Sequence, residues 1–214
     1  IPANNPIIIS TEADYNLFYL ENDGRSNYEI KMLESKEGNL VSNPRLVKSM
    51  KGPRGSAIIT SAVKDATNIY FGGKNGAVYQ TEAEATINTT NLTELTENTY
   101  SKIYDMAPSE SDFYFLTTNA IFSSSYDTGV ITKLASTSGE SNIISYKDNS
   151  VILWSFSEKT PVKLIDLDKK TSTVLFTPKN SVQKVRLCSV EDKDYLIEIE
   201  SNSIVNLFDI QSGK

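Results

Sequence analysis

Four stretches carry residue types that could do chemistry. Phe71-Gly72-Gly73-Lys74-Asn75-Gly76 has the glycines and the lysine of a phosphate-cradling loop, in which backbone N–H groups and an ammonium meet an anion. That chemistry needs a helix to follow, but Ala77-Val78-Tyr79 reads as strand, so Asn75-Gly76 is expected to form a type I′ hairpin turn. Asp166-Leu167-Asp168 sets two carboxylates on alternate residues after an apolar run, as a phosphoryl-transfer pair or the start of a calcium loop would. Thr171 comes one position late for the first and the later ligands are missing for the second, so a carboxylate-capped turn is expected. Cys188 lies in Arg186-Leu187-Cys188-Ser189-Val190, where alternation predicts a buried small residue rather than a reactive thiol. Arg45, Lys48, Lys51 and Arg54 follow one another with no acid between them. They form a local basic stretch in a chain of net charge −6.

The rest of the composition excludes more than it proposes. The chain of 214 residues has no histidine, which removes the usual general base, the serine and cysteine triads and imidazole metal ligands. A single cysteine removes internal disulfides and multi-cysteine zinc sites. No catalytic, cofactor-binding or metal-binding residue is therefore assigned, and no cofactor is expected. The acidic balance, with a pI near 4.8, argues against nucleic-acid partners, whose phosphates call for lysine and arginine. No apolar run approaches the ~18 residues of a membrane span. The chain starts at Ile1 without a basic or apolar leader, as expected of a processed or excised form. With no signal peptide and one cysteine, an intracellular location is the expectation. The sequons at Asn88 and Asn91 are no more than chance would place in a chain this rich in Asn, Ser and Thr.

The elements that must position any site repeat along the chain. An apolar run, a short polar turn and a second run rich in aromatic and branched residues recur five times. The copies are PIIIST-EADY-NLFYLE, SAIITSAV-KDAT-NIYFGG, SKIYDMAP-SESD-FYFLTT, NIISY-KDNS-VILWSF and KVRLCSV-EDKD-YLIEIE. A third run follows each copy, and a fourth follows the first four: LVSNPRLVKS, INTTNLTEL, VITKLAS and STVLFTP. Each unit thus predicts four antiparallel strands, a to d. The b strands are expected at 16–21, 68–72, 113–117, 151–156 and 195–200. The repeats run approximately over 6–50, 55–98, 101–137, 141–179 and 182–214, within one all-β domain. Ser, Thr and Asn make up 63 residues, which suits the many turns this needs. On the b strands Trp154 and Tyr195 are expected to be buried, with Lys74 and Asn75 exposed at a hairpin tip.

Four-stranded units of 40–50 residues with a hydrophobic period near two resemble a β-propeller. The stretches Leu207-Phe208-Asp209-Ile210-Gln211-Ser212-Gly213-Lys214 and Leu164-Ile165-Asp166-Leu167-Asp168-Lys169-Lys170-Thr171 resemble the blade-closing pattern of WD40-like repeats. The GH and WD dipeptides of that group are absent, so the repeats look like a degenerate form. Ser125-Tyr126-Asp127-Thr128-Gly129 is similar to the first half of the Asp-box of sialidase-like propellers, without its Thr-Trp half. The fifth unit stops before its d strand, as a piece of a larger propeller would, and its c strand is expected to be covered by further chain or by a partner's strand.

The resemblance implies a non-catalytic scaffold whose rigid strands hold loops for a protein partner. The residues singled out are Arg25, Lys51, Arg54 and Lys74, which the repeat places on one face, where an acidic partner segment would dock. Two other readings are carried alongside it. One is a propeller enzyme or small-ligand or carbohydrate-binding module, sialidase-like or quinoprotein-like, with carboxylates converging on the central channel. The other is a secreted adhesive module.

Overall fold

The computed structural model describes residues 7–11, 17–22, 27–33, 35–36, 39–40, 45–51, 59–83, 90–96, 100–147 and 149–213. Among them no helix occurs, and the strands form five successive sheets. The first holds β1 (Ile7–Thr11), β2 (Leu17–Asn22), β3 (Asn27–Leu33) and, after a small hairpin of β4 (Ser35–Lys36) and β5 (Asn39–Leu40), β6 (Arg45–Lys51). The second holds β7 (Ile59–Lys64), β8 (Asn68–Gly73) and β9 (Val78–Glu82). The expected d strand of this unit is split. β10 (Thr90–Asn91) pairs in parallel with β6 of the first sheet, and β11 (Thr93–Glu94) pairs antiparallel with β9. The third sheet holds β12 (Asp105–Pro108), β13 (Asp112–Leu116), β14 (Ala120–Ser125) and β15 (Ile131–Ser136). The fourth holds β16 (Asn142–Tyr146), β17 (Ser150–Trp154), β18 (Val162–Asp166) and β19 (Thr171–Phe176). The fifth has β20 (Val182–Val190), β21 (Lys193–Glu200) and β22 (Val205–Asp209), with β22 at its edge among the described residues.

Strand order follows chain order in these sheets, and the first strands of the first four touch in succession, β1 to β7 to β12 to β16. They are the a strands, and the sheets radiate from them. The branched and aromatic runs form these strands because such side chains fill a pleated surface well. Turn chemistry breaks the runs apart. Asp65 accepts the N–H groups of Thr67 and Asn68 and caps an a–b turn. Asp166 accepts from the Lys169 N–H, and Asp209 from those of Gln211 and Ser212, so both aspartates of the blade-closing pattern cap turns after c strands. Glu191 and Asp192 both take positive φ, 49° and 64°, in the two-residue turn that joins β20 to β21.

The core lies between sheets. Ile30 and Met50 meet Phe71 and Tyr79 across the first seam, and Val63 and Tyr70 meet Phe113 and Phe115 across the second. Leu116 and Ile121 meet Val151 and Leu153 across the third, and Ile152 and Trp154 meet Val185 and Leu196 across the fourth. Each fully buried large side chain contributes roughly 1.5–3 kcal/mol. Trp154 is buried as expected, but Tyr195 is not. It lies on the face of the fifth sheet turned away from the fourth, opposite Cys188, which is likewise only half-buried.

Candidate functional site

The glycine loop is a hairpin, but not of the expected type I′: the turn runs from Gly73 to Gly76, with Lys74 and Asn75 at its centre and positive φ at Gly76 alone. Lys74 and Asn75 are exposed at its tip, and Gly76 has φ +86° with the Tyr100 backbone packed where a Cβ would stand. The Tyr100 N–H donates to the Gly76 carbonyl, which ties the chain entering the third sheet to this turn. The Asp166/Asp168 pair is occupied in the same way. Asp166 caps its turn and pairs with Lys169 at 2.7 Å, and Asp168 accepts from Asn149 Nδ2 at 2.7 Å. In the half Asp-box, Ser125 accepts from Thr128 and Gly129, and its role is that of a turn.

The basic stretch does not form one surface. A bulge between Ile30 and Lys31 shifts the pairing of β6, so Val47 and Lys48 are buried in succession. Lys48 Nζ then donates to the Glu82 carbonyl at 2.9 Å, and burial lowers its pKa. Lys51 is exposed at the end of β6 opposite Asn27, where the b–c turn of the first sheet ends, and Lys74 is in the corresponding turn of the second. Both therefore stand at the same end of their sheets. Arg25 and Arg54 lie outside the described residues.

Along the axis, Asp105 is the sole acid among the described residues of the five a strands. Its carboxylate accepts the N–H groups of Met106 at 3.0 Å and of Ile143, on the next sheet, at 3.1 Å. Burial pushes its pKa up to about 6, against the pull of those donors and of Lys184 and Arg186 on β20. It ties two sheets together rather than completing a pair of carboxylates. Among the described residues no group of three or more His, Cys, Asp or Glu is placed to hold a metal ion. No helix among them is long and apolar enough to cross a membrane.

At the a–b turns of the third to fifth sheets a cleft of about 430 Å³ opens beside Pro108, Ser145, Leu187 and Asp194. Asp194 is 1% exposed and fully engaged. Lys147 Nζ lies 2.7 Å from Oδ2, Ser189 Oγ donates to Oδ1 at 2.6 Å, and Tyr146 Oη donates to Oδ2 at 2.9 Å. Lys147 first, then Ser189, hold its pKa down to about 2. This carboxylate locks the fourth sheet to the fifth and has no proton to exchange near neutral pH.

The fifth sheet shows what sequence reasoning missed. Asp194, Leu196, Glu198 and Glu200 of β21 face the fourth sheet and are buried. Tyr195, Ile197 and Ile199 face away and are only half-buried. Their cross-strand partners share that open face: Lys184 and Arg186 on β20, and Leu207 and Val205 on β22. Val205 is 63% exposed and Leu207 62%. The signal was the alternation of Ile197-Glu198-Ile199-Glu200, which marks a strand whose two faces differ.

No family model and no curated protein matches the chain. Solved structures do match it. The chain is similar to the computationally designed Ika8 protein, with a TM-score of 0.63 and 16% identity over 99% of this chain and 60% of that one. It is also similar to TolB from Acinetobacter baumannii, with a TM-score of 0.55 and 14% identity over 96% of this chain and 53% of that one. The fold is a β-propeller. The designed Ika4 protein matches too, with a TM-score of 0.55 and 12% identity over 77% of this chain and 98% of that one. The chain thus spans little more than half the length of Ika8 and TolB, and at these identities the likeness concerns the propeller fold alone. Each sheet is a blade, and among the described residues one face of the fifth is uncovered.

Proposed function

We propose that the protein is a non-catalytic propeller scaffold, built of degenerate WD40-like repeats, whose fifth blade receives an extended segment of a protein partner. The observation that carries the reading is the inverted polarity of β21, with acids turned into the protein and isoleucines turned out. An apolar open face beside an edge strand favours a partner that adds a strand to β22, where backbone hydrogen bonds give affinity and alternate side chains give specificity. Lys184 and Arg186 stand exposed on the same face, so the fitting segment alternates apolar residues and carries an acid to meet them. Lys51 and Lys74, with Arg25 and Arg54, add a positive field that steers such a segment toward the protein.

Panning a displayed random-peptide library on the protein tests this. The enriched peptides should alternate apolar residues, include Asp or Glu, and slow amide exchange in Val205–Asp209. Leu207→Glu should abolish their binding. Enriched peptides that bind Leu207→Glu equally well and leave exchange in β22 unchanged would overturn the reading.

A further inference from the structure

Glu198 and Glu200 stand two residues apart on β21, so both project from one face of the sheet, into the seam between the fourth and fifth blades. Each is 3% exposed. Glu198 Oε2 accepts from Asn206 Nδ2 at 2.9 Å, and Glu200 Oε2 accepts from Asn180 Nδ2 at 2.6 Å. Glu198 Oε1 is buried with no hydrogen-bond partner. Among the described residues neither carboxylate has an ion-pair partner. Both line a cleft of about 240 Å³ whose walls include Phe176, Leu207 and Phe208.

The preceding seam meets the same problem differently. There Glu140, 2% exposed in its side chain, is paired at 2.6 Å with Lys163 Nζ. Lys163 on the c strand lies directly across from Leu153 on the b strand. In the fifth blade the corresponding cross-strand pair is Glu198 and Asn206. The b strand has gained a carboxylate and the c strand carries no ammonium.

We propose that this cleft is a binding site for an organic cation, an ammonium or guanidinium on a short aliphatic stem, held by Glu198 and Glu200. The cation would stand to these carboxylates as Lys163 stands to Glu140. A metal ion fits less well. Asn180 and Asn206 turn their NH₂ groups toward the carboxylates, and a calcium ion asks for six to eight oxygens. The apolar walls suit a methylene stem, and Phe176 and Phe208, whose rings lie 5.0 Å apart, offer π-faces to the charge. Lys179 sits exposed at the rim and favours a ligand carrying a single charge. The ligand is a free small cation or the Arg or Lys side chain of a peptide, and since Asn206, Leu207 and Phe208 belong to β22 the cleft adjoins the edge at which a strand would add.

Calorimetric and NMR titration with n-butylguanidinium, and separately with the blocked tripeptide acetyl-Val-Arg-Val-amide, each carrying one positive charge, tests the proposal. Saturable binding is expected, weakened at least tenfold by Glu198→Gln and by Glu198→Leu, the latter supplying the residue type the fourth blade has there. Tighter binding of n-butylguanidinium identifies a free small cation as the source, and tighter binding of the peptide identifies a side chain. A Glu29→Gln variant, altered on the first blade, should bind as the parent does, and thermal melts establish that each variant is folded. No saturable binding at millimolar probe, or equal binding by folded Glu198→Gln, would overturn the proposal. So would binding that appears only in Lys179→Met, which would make Lys179 the occupant, or calcium competing for the cleft at lower concentration than either probe.

Discussion

β17 and β21 are the second strands of adjacent blades, and they bury their side chains in opposite ways. β17 reads Ser-Val-Ile-Leu-Trp and is buried throughout, because Val151 and Leu153 pack on the third blade while Ile152 and Trp154 pack on the fifth. β21 alternates, and its buried positions beyond Leu196 are acids. A strand with a sheet on either side must be apolar on both faces, so it appears as an unbroken run. A strand with one covered face is free to place charge on it, provided partners meet that charge. Asp194 is met by Lys147, Ser189 and Tyr146, whereas Glu198 has only Asn206. The difference separates blades held by packing from a blade held partly by polar ties.

The contrast is tested most strongly in the core. Leu153→Ala should cost about 3 kcal/mol in urea denaturation, the usual size for a leucine removed from a two-sided core, while Ile197→Ala on the open face should cost under about 1 kcal/mol. Equal losses would break the comparison. Lys163→Met should cost about 2 kcal/mol by leaving Glu140 buried without its cation, and adding Glu140→Leu should recover most of that loss. If the double variant is no more stable than the single one, the pair does not hold its seam as described.

Acid titration separates two other seam carboxylates by sign. Asp194 has its pKa lowered from 3.8 to about 2, so its share of stability is fully present above about pH 4 and is lost as pH falls through 2. Asp105 is raised from 3.8 to about 6, so the folded state loses stability as pH rises from about 4 through 6. Asp194→Asn should therefore destabilise at neutral pH and differ less from the parent near pH 2. Asp105→Asn, which keeps an acceptor for the Ile143 N–H, should gain on the parent as pH rises from 4 to 7. Parallel stability curves for parent and variant in either case would refute the corresponding shift. The smallest effect is expected at the rim. Lys51→Glu combined with Lys74→Glu should slow association with an acidic peptide a few-fold at low salt and flatten its salt dependence, with little change in dissociation.

The repeat, the all-strand class and the b strands were legible because aromatic and branched runs alternate with turn residues, a purely local signal. Asn75-Gly76 and the aspartates at 166 and 209 were legible as turns for the same reason. The fate of Lys48 was not, since it depends on a bulge set by cross-strand register. Nor was the exposure of Tyr195, since the pattern of a strand does not say which face has a neighbour. The acids of β21 could have been read as one face of an alternating strand, but only the structure shows that this face is the covered one. Of the four cations singled out, Lys51 and Lys74 are found at one end of neighbouring blades, a placement the repeat alone implied.

The split strand between the first two blades bears on how the molecule comes apart. After β9 the chain crosses to lie along β6 for two residues and returns to lie along β9 for two more. The outer rims of these blades are thereby laced by one stretch of backbone, in addition to the apolar seam beneath. Peeling either blade from the other must undo the lacing first, so a pulling force or a thermal opening that begins there is shared by both. The first two blades are then expected to yield as one mechanical unit, while the seam between the fourth and the fifth, held partly by polar ties, parts more readily.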